Sequence, residues 1–166
     1  RMESGKEMKN QRMLDELTEL MRIDVSSGQE TEIAEHLVKK LEQMGFAITR
    51  DEAGATFGGV CGNILAVREG ERDGVVCFCS HMDRVPGGIG IKPVEEDGIL
   101  RSSGDTILAA DDLSGVAAIL EGVRQAIESG KALPKLEILF TVGEEAGLYG
   151  AKAFDVSLLT SKTMYV

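Results

Sequence analysis

At 166 residues, 43% of them hydrophobic and 28% charged, the chain has the size and composition of one globular domain with its own core. A formal net charge of −10 argues against nucleic acid, whose phosphates require clustered Lys and Arg, and is compatible either with cation binding or with an acidic solvated surface. No apolar run approaches the ~20 residues of a membrane span, and the polar N-terminal stretch lacks the charged-then-apolar layout of a secretory signal.

Taken in chain order, Met13, Leu14, Leu17, Leu20 and Met21 recur at helical spacing and predict an amphipathic helix over residues 6–23. Asp24-Val25-Ser26-Ser27-Gly28 ends it with turn formers. A second helix is expected from Glu30 to Met44, with Ile33, Ala34, Leu37, Val38 and Leu41 inward and Gly45 as its C-terminal stop. His36 has no partner at ligand spacing and is expected on the helix surface.

Phe46–Arg50 and Asn63–Arg68 read as strands, separated by a loop that carries glycines 54, 58, 59 and 62. Val75–Ser80 is a continuous apolar run suited to a central strand, and it ends by delivering His81 and Asp83. Asp97-Gly98 marks a hairpin between Lys92–Glu95 and Ile99–Ser102. Asp111 and Asp112 follow Ile107–Ala110, and a helix starts near Asp112, whose carboxylate suits an N-terminal cap. Leu136–Val142 is another strong strand, followed by Gly143-Glu144-Glu145, a loop or short helix near Gly147 and Gly150, and the start of a strand at Thr163. Alternating helices and strands predict an α/β fold with a mostly parallel central sheet and helices on both faces.

Cys61, Cys77 and Cys79 are an odd number, and Cys77 and Cys79 lie on the same face of one strand, a poor geometry for bridging each other. Reduced thiols in a cytoplasmic protein are expected.

Ligands of open α/β sheets bind beyond the carboxyl ends of the strands. His81, Asp111 and Glu144-Glu145 all fall at or just after predicted strand ends, so one imidazole and several carboxylates are expected on one rim. That donor set suits Zn²⁺, Co²⁺ or Mn²⁺. Asp83 is placed to hold the His81 ring from behind, and of a Glu-Glu pair one carboxylate can ligate while the other moves a proton. Each motif alone has a structural reading: His-x-Asp as packing, Asp-Asp as a cap, Glu-Glu as surface. Only their joint order favours chemistry.

The stretches Ser80-His81-Met82-Asp83-Arg84-Val85, Ala110-Asp111-Asp112-Leu113-Ser114-Gly115 and Thr141-Val142-Gly143-Glu144-Glu145-Ala146-Gly147 resemble the co-catalytic di-zinc exopeptidases. These include peptidase T, glutamate carboxypeptidases, aminoacylases and succinyl-diaminopimelate desuccinylase. The wording at 144–152 is most similar to the peptidase T branch, the tripeptide aminopeptidases, and the likeness runs from about residue 8 onward.

The resemblance implies a zinc-exopeptidase-like catalytic domain that hydrolyses short peptides with a water activated by two zinc ions, Co or Mn being substitutes. It implies that His81 ligates one metal, Asp111 bridges both and Glu145 ligates the second, while Asp83 orients His81 and Glu144 is the general base and acid. It also implies a cis peptide after Asp111. Arg84 and Leu113 depart from the Thr and Lys common at their positions in the family, which bears on subfamily.

The family further carries a later acidic ligand, a late His ligand and a lid domain that often dimerises, none of which lies in residues 1–166. The chain is therefore expected to be the N-terminal portion of the catalytic domain of a longer enzyme. On its own it is expected to bind metal weakly and to have little or no activity, while the full-length protein is expected to act on short peptides, as a homodimer in some relatives. Amidohydrolysis of N-acyl amino acids, glutamate-type carboxypeptidase action and a non-catalytic α/β scaffold remain alternatives at this point.

Overall fold

The computed structural model describes the backbone of residues 2–166 and the side chains of residues 11–166. Helix α1 runs Met2–Arg22, α2 Thr31–Gln43, α3 Ala110–Glu128 and the short α4 Tyr149–Ala153. Seven strands accompany them: β1 Ala47–Arg50, β2 Ile64–Arg68, β3 Val75–His81, β4 Pro93–Glu96, β5 Ile99–Ser102, β6 Lys135–Thr141 and β7 Met164–Tyr165. The part of the expected first helix before residue 11 has its side chains outside the described residues.

Local chemistry accounts for the boundaries. At the end of α2, Gly45 takes φ +85° while its N–H donates to Glu42 O and that of Phe46 to Leu41 O, the paired bonds that close a helix through a left-handed residue. Asp97 and Gly98 both have positive φ, as the two-residue turn between β4 and β5 requires. Regular helix in α3 begins after Asp112, whose Oδ1 accepts from Gly115 N at 3.1 Å, so the expected cap is in place.

Strands β1-β2-β6-β3-β7 form the main sheet in that order, and β4–β5 is a separate hairpin. The α/β class holds, but the sheet is more mixed than the mostly parallel one expected. Parallel pairing joins β6 to β3 and β3 to β7, whereas β1–β2 and β2–β6 are antiparallel. The reason lies in the connections: residues 51–63 and 69–74 form loops without a crossover helix, and such links reverse the chain.

Helices α1, α2 and α3 pack on one face through Leu20, Leu37, Leu41, Val116 and Leu120 against Ile64, Ile138 and Phe140. Each such fully buried aliphatic side chain contributes roughly 1.5–3 kcal/mol. Among the described residues the opposite face carries a small cluster of Leu65, Leu139 and Phe154, the last directly after α4. The three long helices thus share one face, and the helical cover expected on the other is replaced among the described residues by Phe154 and Leu159 from the segment after α4. All three cysteines are free thiols, as expected. No helix among the described residues is long and apolar enough to cross a membrane.

Two expectations along α1 and α2 are corrected. Met13, assigned to the inward stripe, is 38% exposed, while Glu16 is buried. His36 is no isolated surface residue: its Nε2 lies 3.4 Å from Glu16 Oε1, in an ion cluster where Lys40 and Arg124 each reach Glu16 Oε2 at 3.2 Å. Glu16 sits where three helices meet, so cations from α2 and α3 enclose it, and its pairing could not be read from α1 alone.

Candidate metal centre

Register delivers the first parts of the site. In the parallel β3–β6 pair His81 lies opposite Thr141, so both strands end level and the Val142–Glu145 loop leaves the sheet beside the imidazole. Gly143 turns this loop at φ +59°, and a side chain there would meet the Phe57 ring at 2.6 Å.

Asp111 arrives differently. Residues 103–109 form no strand: Ile107 packs on the core as a loop with its N–H on Gly87 O, and Ala109 is left-handed at φ +58°. The expectation that Asp111 follows a strand end is therefore corrected; it stands at the start of α3. The Asp111–Asp112 peptide is cis. Asp112 turns away from the rim, its Oδ2 accepting from Ser80 Oγ.

His81, Asp111 and Glu145 each offer a donor atom, and these atoms all lie within 4.8 Å of one another. His81 Nε2 is 3.1 Å from Asp111 Oδ1 and 3.8 Å from Glu144 Oε2. Asp111 projects into solvent, its side chain 86% exposed, while that of His81 is 11% exposed. All five residues singled out in the sequence, His81, Asp83, Asp111, Glu144 and Glu145, are thus brought together at one end of β3 and β6.

Asp83 contacts His81 in an unexpected way. The nearer partner of His81 Nδ1 is the Asp83 backbone carbonyl at 3.0 Å; the carboxylate Oδ1 is 3.5 Å away. A carbonyl can only accept, so Nδ1 carries a proton and Nε2 faces the other carboxylates. The Asp83 carboxylate, wholly buried, instead accepts from Glu144 N at 2.9 Å, Glu145 N at 3.1 Å and Ser27 Oγ at 2.5 Å.

Charge is crowded here. Burial disfavours the His81 imidazolium, but hydrogen bonds to Asp83 and Asp111, with the Glu144 charge, outweigh it and raise its pKa to about 9. Glu145 is raised by desolvation and by the charges of Glu144, Asp111 and Asp83, against the opposing pull of His81. Asp83 stays below the usual carboxylate range: desolvation pushes it up, and hydrogen bonds from His81, Ser27 and the Glu144 amide more than offset that. One imidazole and two carboxylates converging among further carboxylates form a donor set that a divalent cation fits, since the cation would relieve this repulsion.

Some participants carried no signal that the sequence reading used. Ser27 and Glu30 lie beneath the Gly143–Glu145 loop, although residues 24–28 read only as turn formers and Glu30 as the start of a helix. Arg84, read as a family departure, is 1% exposed and donates to the carbonyls of Leu20, Met21 and Ile23 at the end of α1, and to Gly88 O. Burial lowers its pKa, with Asp24 opposing. A buried Arg directly after His-x-Asp was visible as an oddity, but nothing nearby in the chain named its partners.

Comparison with known proteins agrees with this geometry. An uncharacterised protein, YqjE, of Bacillus subtilis strain 168 is 38% identical over 155 residues, covering 93% of this chain and 42% of the relative. The crystal structure of aminopeptidase PepT from Bacillus cereus superposes with a TM-score of 0.90 at 39% identity, over 93% of this chain and 42% of that one. A tripeptidase from Staphylococcus aureus gives 0.89 at 34% identity with the same coverage. The chain thus spans about 42% of the length of these relatives. Residues 63–165 match the sequence profile of Peptidase family M28, a stretch that takes in β2, β3, β6 and every converging donor. On that match the chain belongs to Peptidase family M28.

Proposed function

We propose that this chain is the N-terminal portion of the catalytic domain of a metal-dependent exopeptidase that removes residues from the N-terminus of short peptides, tripeptides foremost. The observation that carries this reading is the convergence of His81, Asp111 and Glu145 donor atoms within 4.8 Å, with Glu144 beside them. The substrate class rests on the two similar structures, which are an aminopeptidase and a tripeptidase.

His81 Nε2, Asp111 and Glu145 would hold the metal. A single imidazole with carboxylates suits zinc, with cobalt or manganese as substitutes. When bound, the metal supplies Lewis-acid polarisation of the scissile carbonyl and acidifies a water. The chain's own residues do the rest. His81 Nδ1–H on the Asp83 carbonyl keeps the ring turned so that Nε2 faces the ligand position. Glu144, 35% exposed and held by its backbone N–H on Asp83, is free to take the proton from the attacking water and hand it to the leaving amine.

Three converging donors are few for two metals, because a catalytic zinc ordinarily has three protein ligands. We therefore expect the 166-residue chain alone to hold zinc weakly and to hydrolyse little. We place the enzyme in the cytoplasm on the ground that Cys61, Cys77 and Cys79 are all free thiols.

The test is a tripeptide panel assayed with the product of the complete reading frame, with and without chelator, beside Glu144→Ala. Cleavage that needs metal and falls about 10²-fold or more in the variant supports the reading. A metal-replete protein that cleaves none of the panel, or a variant as active as the parent, refutes it.

A further inference from the structure

The connection between α1 and α2 adds no donor to the cluster, yet two of its side chains end directly beneath it. Glu30 is fully buried, and its Oε1 accepts from Gly28 N at 2.8 Å and from Gly143 N at 3.0 Å. Among the described residues its Oε2 has no partner. A buried carboxyl with an orphan oxygen is costly, and an apolar residue of similar size would avoid that cost. What an apolar residue could not do is fix the Gly143 amide.

Gly143 is the first of three successive N–H groups that are all taken by buried carboxylates. Glu30 holds Gly143 N, Asp83 Oδ1 holds Glu144 N, and Asp83 Oδ2 holds Glu145 N. Ser27 Oγ then donates to Asp83 Oδ2 at 2.5 Å, and the Asp83 carbonyl accepts from His81 Nδ1. Ser27 and Glu30 thus reach every movable part except Asp111. Released at Gly143, the loop would pivot about a left-handed residue and carry both glutamates with it.

We propose that Ser27 and Glu30 are positioning residues of the metal centre. Through Asp83 and Gly143 they set where Glu144 and Glu145 leave β6 relative to His81. The kinetic side of this inference rests on the peptidase reading above; the geometric side does not.

The test uses the product of the complete reading frame carrying Ser27→Ala, Ser27→Thr, Glu30→Met or Glu30→Gln. Each is titrated with Co²⁺, followed by its visible absorption, then unfolded in urea without metal and assayed on a tripeptide. Glu30→Gln retains an oxygen for both N–H groups, and Ser27→Thr retains the hydroxyl. Ser27→Ala and Glu30→Met should weaken Co²⁺ binding about 10- to 100-fold and alter the cobalt band, with kcat falling more than KM rises. The Thr and Gln variants should recover most of the affinity and the parental band.

Ala and Met variants that bind Co²⁺ like the parent overturn the inference, as does a loss that the conservative variants fail to restore. If Glu30→Met does not fold, the Ser27 pair decides, since Ser27 is only half-buried and loses a single hydrogen bond. Should the affinities follow this pattern while no peptide is cleaved, the positioning role stands and the peptidase reading falls. Cleavage with unmoved affinities gives the reverse.

Discussion

Ser80 Oγ donates to Asp112 Oδ2 at 2.6 Å, which ties the residue before His81 to the residue after Asp111. Two donors from distant parts of the chain are thereby set by one bond between their neighbours, without any contact of their own being required. Ser80 is 2% exposed, so water cannot replace the lost donor easily. Ser80→Ala should cost roughly 1–3 kcal/mol in urea unfolding and weaken metal binding beyond what the stability loss explains. Equal Co²⁺ affinity in the variant and the parent would contradict this.

Arg84 closes the end of α1 from inside the protein, with four backbone carbonyls as its acceptors. A guanidinium at a helix C-terminus also meets the negative end of the macrodipole. Arg84→Leu would take this donor from all four carbonyls, Leu20 O keeping the Ile23 N–H, and should destabilise the fold by about 3 kcal/mol. Arg84→Lys should recover little, since an ammonium cannot span the same four acceptors. Urea midpoints of the two variants check both statements.

Acid should unfold the protein partly through Glu16. Desolvation pushes this carboxyl up, but His36, Lys40 and Arg124 more than offset that and bring its pKa from 4.5 down to about 2. A carboxyl lowered on folding stabilises above its unfolded pKa and loses that contribution as pH falls through the folded one. About 3 kcal/mol should therefore be present at neutral pH and disappear between about pH 5 and 2. Glu16→Gln should flatten the fall of the urea midpoint across that interval. A variant whose midpoint falls as steeply as the parent's would refute the assignment.

Metal uptake should release a proton. With its pKa raised to about 9, metal-free His81 is an imidazolium at pH 7, and a ligating Nε2 must lose that proton. Zn²⁺ titrations in buffers of differing ionisation enthalpy should show about one proton set free at pH 7 and progressively fewer above pH 9. Binding with no buffer dependence would show that His81 is already neutral or does not ligate.

The parts that were legible in the sequence are those encoded over a few residues. Gly45, Asp97-Gly98 and Asp112 each declare a helix stop, a hairpin turn or a cap through contacts within a handful of positions. The residues that escaped reading have distant partners. Glu30 finds Gly143 across 113 residues, and Arg84 reaches back more than 60 to Leu20 and Ile23. The cations around Glu16 belong to α2 and α3, so α1 alone carried no sign of its burial. Asp83 was expected to hold His81 through its side chain; its carbonyl lies closest to His81, and its carboxylate is taken by the loop, a division that spacing alone does not reveal.

His81 belongs to β3, Asp111 to α3 and Glu145 to the loop beyond β6, so no two of the converging donors share an element. An ion gathered by such a set has nothing to grip in the unfolded chain, and its binding energy becomes folding energy. At a free concentration 1,000 times the dissociation constant this thermodynamic linkage is worth about 4 kcal/mol, a large share of a typical domain's stability. The melting temperature should therefore climb with metal concentration. Conversely, damage far from the rim, at Arg84 or Glu16, should register as a weaker apparent affinity for the ion wherever it brings the fold near its midpoint.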